Sequence, residues 1–308
     1  MARRILLSVV VLSALAGCGS RRADSGLPQI GVVLKALDSE FWLSVKRGAE
    51  AAAEGKARLG IVAPDREINI DQQVSMIEDQ IARGIQALVL APAASAQVIP
   101  ALDKAHEKGI PVIIVDTDVP WPKKVTYVGT NNYEGGKLAG QYVIRAVPGA
   151  AEVGLVTGVP GEETHEGRKR GFKEALAAEP RLRLVAEQPA NSERALALTV
   201  MENMLTARPK LAAVFATSDQ MALGALEAIH ARRSGSPVHL VSFDAGSEVL
   251  KLIREGKVDA VVAQRPFQMG QRGVEAALRA LAKQPVDPVI DTGTALITKE
   301  NVDTFKNE

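Results

Sequence analysis

The chain has 308 residues, of which 46% are hydrophobic and 24% charged, and its formal net charge at pH 7 is +1. This balance predicts no basic surface that would attract nucleic acid. A chain of this length with ordinary hydrophobic content is expected to form two domains with solid cores. The only cysteine is Cys18, which excludes an intramolecular disulfide and a paired-cysteine metal site.

The first residues have the pattern of an export signal. Arg3 and Arg4 precede an apolar run over residues 5–15, and Cys18 follows it closely. The run is shorter than the roughly 20 residues that a membrane-spanning helix needs. We therefore predict a cleaved secretory signal over residues 1–17.

The four residues that end at Cys18 resemble the lipobox of bacterial lipoproteins. The resemblance implies that Cys18 becomes the lipid-modified first residue of the mature chain and anchors it to a membrane. An incidental cysteine is the alternative. Residues 18–27 are then expected to form the anchor and a flexible polar tether, which places the protein outside the cytoplasm on a membrane surface.

Beyond the tether, short β-branched runs alternate with longer amphipathic stretches to the end of the chain. This alternation is typical of parallel α/β folds, in which the central strands are apolar on both faces. The predicted strands are residues 30–35, 59–63, 87–91, 112–116, 153–157, 183–187, 212–216, 239–243 and 260–264.

Between these strands the apolar period becomes that of a helix. Apolar stripes run over residues 70–81 and 274–281, and such stripes pack against a sheet. Gly84 and Gly109 each stand just before a predicted strand, as glycines that end a helix do.

The alternation is interrupted once, in the middle of the chain. Pro120 and Pro122 forbid a helix there. A short run over residues 126–130 follows, and the helical pattern resumes at Asn132. We interpret this interruption as the crossing from one α/β lobe into a second.

Five segments stand out along the chain, and they follow one another in a set order. They are residues 37–42 with 46–49, 111–116, 129–136, 214–225, and 241–244, which reads Val-Ser-Phe-Asp. Together they resemble the type I periplasmic binding proteins, specifically the ribose-binding branch that includes galactose, xylose and autoinducer-2 receptors. The resemblance covers roughly residues 28–300.

The resemblance implies a fold of two doubly wound, Rossmann-like α/β lobes with parallel sheets, joined by three hinge strands. The hinge positions are placed near residues 130–131, 264–265 and 292–293. The implied lobes are residues 28–130 with 265–292 for lobe I, and 131–264 with 293–308 for lobe II. Open α/β sheets bind ligands at the carboxyl ends of their strands, so the ligand is expected between the lobes.

The resemblance also implies a set of ligand-binding residues, and the positions that match those of the family fall at or near these strand ends. They are Lys35, Ser39, Phe41, Trp42, Asp116, Thr117, His165, Glu166, Ser192, Ser218, Asp244 and Gln264. A carboxylate such as that of Asp116 or Asp244 accepts two hydroxyl hydrogen bonds, which suits vicinal diols. An aromatic plane covers the C–H face of a sugar ring, and the amide of Gln264 both donates and accepts.

Each of these residues also has a purely structural alternative. Phe41 and Trp42 are equally placed to be core residues at a helix start. Asp116 and Asp244 are placed to cap a following turn or helix. Ser218 is placed to be the N-cap of a helix that begins at the next residue.

The sequence departs from the ribose-receptor pattern at three positions. Glu166 replaces an arginine, Ser192 replaces an aromatic residue, and Lys35 replaces a small hydroxyl residue. These changes argue against ribose as the ligand. Lys35 and Glu166 are expected either to bind a zwitterionic or acidic sugar derivative or to be neutralised internally, by each other or by Asp116. Internal pairing is favoured because an unpaired buried charge is costly.

The motifs of common enzyme classes are missing from the sequence. The glycine-rich segment 154–161 lacks the dinucleotide spacing, and neither a phosphate-binding loop nor a nucleophile elbow occurs. The four histidines are scattered without the spacing of metal ligands. We therefore expect neither an enzyme nor a bound cofactor or metal.

The sequence thus predicts a monomeric solute-binding protein that captures a small sugar or sugar-like ligand by hinge closure. It is expected to deliver the ligand to an ABC permease in the membrane. A ligand-sensing receptor of the same fold, autoinducer-2-like or chemosensory, is the alternative. Sugar-responsive repressors share the core, but an export signal stands here where they carry a DNA-binding helix-turn-helix.

Overall fold

The structure is a computed structural model that describes residues 26–232 and 237–306. The predicted export signal, the Cys18 anchor and most of the predicted tether lie outside the described residues. Within them, every helix is too short or too polar to cross a bilayer.

Strands and helices alternate along the described chain. In order they are β1 (Gln29–Val33), α1 (Glu40–Ala53), β2 (Arg58–Val62), α2 (Ile70–Ala82), β3 (Ala87–Leu90), α3 (Ser95–Glu107), β4 (Val112–Val115), β5 (Thr126–Gly129), α4 (Asn132–Ala146), β6 (Ala151–Thr157), α5 (Glu163–Ala177), β7 (Leu182–Pro189), α6 (Arg194–Ala207), β8 (Leu211–Ala216), α7 (Asp219–Ala231), β9 (His239–Phe243), α8 (Ser247–Arg254), β10 (Ala260–Ala263), α9 (Pro266–Leu281), β11 (Val289–Asp291) and β12 (Ala295–Thr298).

The strands form two six-stranded sheets, one in each lobe. The first has the order β11-β5-β4-β3-β1-β2 and the second β12-β10-β9-β8-β6-β7. All pairings in the first sheet are parallel. In the second, only the pairing of β10 with β12 is antiparallel. The predicted class, two α/β lobes with parallel sheets, is confirmed.

All nine predicted strands are present, shifted by at most a few residues. The central strands β3 and β4 are buried along their whole length, whereas the edge strand β2 is partly exposed. This difference explains why continuous apolar runs were a good guide to the centre of each sheet. Gly84 and Gly109 have φ of 77° and 70° and end α2 and α3, so the left-handed cap that favours glycine is present at both.

Each sheet lies between two apolar layers. In the first lobe, one layer is built around Val45 and Val274 and the other around Ile77 and Leu102. In the second lobe, Phe172 and Phe215 stack within one layer, their ring centroids 4.9 Å apart. Burial of this kind stabilises both sheets, so their strand ends are held on firm frameworks.

The chain passes between the lobes three times: after β5, after β10 and between β11 and β12. At this hinge the Thr292 hydroxyl donates to the carbonyl of Gly129 over 3.1 Å and lies 3.4 Å from the Thr130 hydroxyl. The carboxyl ends of both parallel sheets therefore face one common gap.

Candidate ligand-binding cleft

The gap between the lobes is a cleft that holds about 670 Å³ of empty space, its open mouth included. Its walls come from loops that follow the strands of both sheets. The lining residues are Lys35, Asp38, Ser39, Phe41, Trp42, Arg66, Glu67, Ile68, Asp116, Thr164, His165, Arg168, Asn191, Ser192, Glu193, Ser218, Asp219, Gln220, Asp244 and Gln264. Ten of the candidates named from sequence are among them; Thr117 and Glu166 are not.

Glu166 was expected in the cleft, and the structure corrects this placement. Its carboxylate lies 2.5 Å from the Lys169 ammonium and accepts from the Gly161 amide over 3.3 Å. Residues three or four apart share a helix face. On α5, His165 and Arg168 share the cleft face, while Glu166 and Lys169 lie on the face towards Glu187.

Glu162, one turn before Glu166, is the acidic partner of Lys35. The Lys35 ammonium lies 2.7 Å from Glu162 Oε1 and 3.0 Å from Asp116 Oδ2. Thr117, behind the cleft wall, donates its hydroxyl within the same group, 2.7 Å from Glu162. Internal pairing of Lys35 therefore occurs, with Asp116 as expected and with Glu162 in place of Glu166.

Charge is favoured on both Lys35 and Glu162 despite their burial. Burial alone would lower the pKa of Lys35, but the carboxylates of Asp116 and Glu162 outweigh it and raise the pKa above its ordinary value. Burial likewise opposes the charge on Glu162, yet the Lys35 ammonium holds the pKa of that carboxyl far below its usual range. Because Lys35 and Glu162 belong to opposite lobes, this ion pair connects them.

Asp116 and Asp244 directly follow β4 and β9 and have left-handed backbone, with φ of 64° and 69°. Such backbone costs a residue with a side chain on the order of 1–3 kcal/mol and clusters at functional sites. Asn191 and Ser192, which also line the cleft, have the same left-handed backbone, with φ of 52° and 62°. Asp244 is not the N-cap of the following helix, because the N-cap of α8 is Gly246.

Arg168, which sequence reasoning missed as a site residue, is fixed above the second sheet. Its guanidinium donates to the carbonyl of Thr217 over 2.7 Å and to Asn132 Oδ1 over 2.8 Å. It also lies 3.5 Å from Asp244 Oδ2 and 3.8 Å from the centre of the Phe243 ring. Arg168 therefore holds a positive charge beside one strand-end carboxylate.

His165 is buried and neutral. Burial lowers its pKa to about 3, so it is uncharged at neutral pH. Its Nδ1 lies 2.8 Å from the Thr217 hydroxyl and its Nε2 3.1 Å from the Ser192 hydroxyl. A side chain at Gly158 would come within 2.1 Å of the imidazole ring, so the loop after β6 needs glycine to admit His165.

Gln264, at the crossing after β10, is held by Asp244. Its Nε2 donates to Asp244 Oδ1 over 2.5 Å, whereas its buried Oε1 has no hydrogen-bond partner among the described residues. Since an orphaned buried acceptor is costly, this atom is available for a donor from a ligand.

The aromatic wall consists of Phe41 and Trp42, whose rings meet edge to face with centroids 4.9 Å apart. The Trp42 indole donates to Glu67 Oε1 over 2.9 Å. Trp42 is both a core residue and part of the cleft wall. Ser39 and Ser218 line the cleft as the N-caps of α1 and α7, which confirms the capping alternative for Ser218.

Asp219, the first residue of α7, is a buried acid that was not singled out from sequence. Its carboxylate accepts from the Gln220 amide over 2.7 Å. Burial, reinforced by the neighbouring Asp244 carboxylate, raises the pKa of Asp219 to about 7. Asp219 therefore titrates near neutral pH.

Asp219→Asn is expected to stabilise the protein at high pH. The pKa is raised on folding, so the folded chain holds more protons than the unfolded chain between about pH 4 and about pH 7, and stability falls as the pH rises through this window. The melting temperature of Asp219→Asn should exceed that of the wild type by a few degrees at about pH 8 and should equal it at about pH 4. Thermal unfolding of the wild type and Asp219→Asn at both pH values checks this, with Asp287→Asn, at an exposed site, as the control. A lower melting temperature of Asp219→Asn than of the wild type at high pH would contradict the prediction.

Contacts at the mouth of the cleft join the two lobes. Arg66 pairs with Glu193 across the gap. The Glu40 carboxylate accepts from the Ser247 amide over 2.6 Å and also contacts the Ser247 hydroxyl. With the Lys35–Glu162 pair, these contacts hold the lobes in a closed arrangement.

Residues 30–285 match a sequence family described as a periplasmic binding protein domain. The chain belongs to this family. A relative of this periplasmic binding protein is the ribose import binding protein RbsB of Escherichia coli (strain K12), 35% identical over 288 residues that cover 92% of this chain and 95% of the relative. Another is the D-ribose/D-allose-binding protein of Pseudomonas aeruginosa, which is 32% identical over 318 residues that cover 97% of this chain and 98% of the relative.

Solved structures of the same architecture are also similar to this periplasmic binding protein. One is a periplasmic solute-binding protein of an ABC transporter from Actinobacillus succinogenes 130z, solved with bound D-allose. It matches with a TM-score of 0.85 at 30% identity and covers 90% of this chain and 100% of its own. The family resemblance inferred from the five sequence segments is confirmed.

Proposed function

We propose that this periplasmic binding protein captures a small sugar or sugar-like polyol and delivers it to an ABC importer. The observation that carries the proposal is the placement of two strand-end carboxylates, Asp116 and Asp244, in one interlobe cleft with an aromatic wall. Carboxylates bind vicinal hydroxyls and aromatic rings cover C–H faces. The relatives named for ribose and allose bind ligands of this chemical class.

Capture proceeds by closure of the two lobes on the ligand. A ligand that touches both lobes stabilises the closed arrangement relative to the open one, because its contacts are complete only there. Lys35 with Glu162 and Arg66 with Glu193 add contacts across the gap. Closure then presents both lobes to a permease. The import proteins among the relatives favour this role over the sensory alternative.

The proposal includes the location of the protein. A signal over residues 1–17 directs export, and Cys18 carries lipid that holds the binding domain near the permease. The body is a monomer of two lobes, residues 28–130 with 265–292 and 131–264 with 293–308. It catalyses no reaction.

A thermal-shift screen of pentoses, hexoses and polyols tests the proposed ligand class. A ligand at about one hundred times its Kd adds about 3 kcal/mol to the free energy of unfolding, so a cognate sugar should raise the melting temperature clearly. Calorimetry then gives its Kd. The absence of a shift with every sugar, at concentrations that shift a known sugar-binding protein, would contradict the proposal.

The position of Trp42 predicts a fluorescence signal on ligand binding. Trp42 lines the cleft, whereas Trp121 is buried elsewhere, with its indole donating to Asp103. Trp42→Phe is expected to abolish the ligand-induced change in tryptophan fluorescence, and Trp121→Phe to preserve it. Titration of both variants with the sugar found in the screen measures this. A signal that survives in Trp42→Phe and vanishes in Trp121→Phe would place the ligand away from Trp42.

A further inference from the structure

The cleft contains more buried acid than buried base. Four carboxylates that face or adjoin it, those of Asp116, Glu162, Asp219 and Asp244, are each at most 8% exposed. Against these four stand two equally buried cations, Lys35 and Arg168, which leaves two negative charges in excess when all are ionised. His165 is neutral, and Glu67 adds a fifth carboxylate at the wall.

The excess charge is concentrated at Asp219. Asp116 and Glu162 share Lys35, and Asp244 faces Arg168. Among the described residues, no cationic side chain lies within ion-pair distance of Asp219, which accepts hydrogen bonds from the backbone and side-chain N–H groups of Gln220. The acids acting on it are Asp244 and Glu40. A buried carboxylate without a counter-charge is costly.

A second observation points to a ligand at the same place. Gln264 is 2% exposed and lines the cleft with Asp219 and Asp244, and within the part of the chain that the structure describes its Oε1 has no hydrogen-bond partner. Its Nε2 already donates to Asp244. The free group is therefore a hydrogen-bond acceptor, which adds to the acceptor oxygens of the two carboxylates.

A metal ion is a poor candidate to balance the excess negative charge near Asp219. In the part of the chain that the structure describes, no group of three or more acidic, histidine or cysteine side chains is arranged to hold one. A hydroxyl supplies one donor and no charge. A protonated amine supplies three donors and a full positive charge, and it offers no acceptor.

We propose that the ligand of this cleft is a polyol that carries a protonated amine, such as an amino sugar. The inference rests on the proposed function and narrows its ligand class. The ammonium group lies between the Asp219 and Asp244 carboxylates and donates to Gln264 Oε1. Phe41, which lines the same end of the cleft, offers an aromatic face to the cation. The hydroxyls occupy the remainder of the cleft.

Protonation of Asp219 is the alternative way in which the excess negative charge of the cleft can be removed. A neutral Asp219 would donate to a hydroxyl of an uncharged sugar and would need no amine. If an amine balances the charge, an amino sugar binds more tightly than its parent sugar, and if Asp219 is protonated, it does not. Matched pairs of amino sugars and parent sugars therefore distinguish the two alternatives.

The test is calorimetry at neutral pH with 2-amino, 3-amino and 6-amino hexoses, their parent hexoses, and the N-acetyl derivatives, which lack the charge. At least one amine is expected to bind about tenfold or more tightly than its parent, as an added charge-assisted hydrogen bond allows. Its N-acetyl derivative should lose this advantage. In Asp219→Asn the ratio of the two affinities should fall towards one, and in Asp287→Asn it should not change.

The relative affinities of amines and parent sugars decide whether the cleft prefers a protonated amine. Parent sugars that bind at least as tightly as every amine would overturn the inference and leave the proposed function intact. So would an amine preference that survives in Asp219→Asn. If neither parents nor amines bind, the proposed function fails, and the inference fails with it.

Discussion

Asp244→Ala is expected to weaken binding of the cognate sugar by more than about 2 kcal/mol, roughly thirtyfold in Kd. Asp244 is 8% exposed and ends β9 inside the cleft. Its carboxylate also fixes the Gln264 amide over 2.5 Å and lies 3.5 Å from Arg168. The alanine variant removes an acceptor for ligand hydroxyls and frees two neighbours that Asp244 holds in place.

Calorimetry on the wild type, Asp244→Ala and Asp287→Ala measures this effect. Asp287 is exposed and outside the cleft, so its replacement should leave Kd unchanged. Asp244→Asn separates charge from shape, because it keeps one acceptor oxygen and should lose less affinity than alanine. Wild-type affinity in Asp244→Ala would remove this residue from the binding site.

Lys35→Met is expected to destabilise the protein by about 3 kcal/mol or more, since removal of one partner from a buried ion pair leaves uncompensated charge. Both carboxylates that Lys35 contacts are at most 4% exposed. Without its ammonium, Asp116 and Glu162 would face each other in a buried site. Thermal and urea unfolding of the unliganded protein measure the loss.

Lys46→Met is the matched control for this variant. Lys46 pairs with Glu50 on the exposed face of α1, and exposed pairs of this kind contribute at most about 0.5 kcal/mol. Adding Glu162→Gln to Lys35→Met should recover part of the stability, because it removes one of the two stranded charges. Equal stability of Lys35→Met and Lys46→Met would show that the buried charge network does not stabilise the closed protein.

Most of the fold was predictable from the sequence because central parallel strands are apolar on both faces. Of the three strands outside the predicted nine, β5 had been noted only as a short run, and β11 and β12 were missed. They have three and four residues, and Val289 in β11 is 61% exposed. No apolar run marks them, because their position depends on the hinge crossings and not on local burial.

The strand-end carboxylates were predictable because topology alone places them. Asp116 and Asp244 directly follow predicted strands, one in each sheet, and the carboxyl ends of such strands meet at the cleft. The partner of Lys35 was not predictable in the same way. Glu162 is 127 residues away in sequence, so the contact depends on how the two lobes approach each other.

The remaining misses came from reading positions on helices one at a time. Glu166 is the position at which the family pattern has an arginine, whereas the spacing of three from Glu162 to His165 to Arg168 marks the face that the cleft uses. Asp219 was read only as a helix start. That ribose is not the ligand, as Lys35, Glu166 and Ser192 indicated, stays a prediction.

A crystal structure with the sugar that gives the largest thermal shift tests the central claim most directly. The ring should lie between the lobes, with a hydroxyl or amine within hydrogen-bond distance of Asp244 and Gln264 and its C–H face towards Phe41 or Trp42. A sugar bound elsewhere, or a gap in which Asp116 and Asp244 turn away from it, would contradict the account.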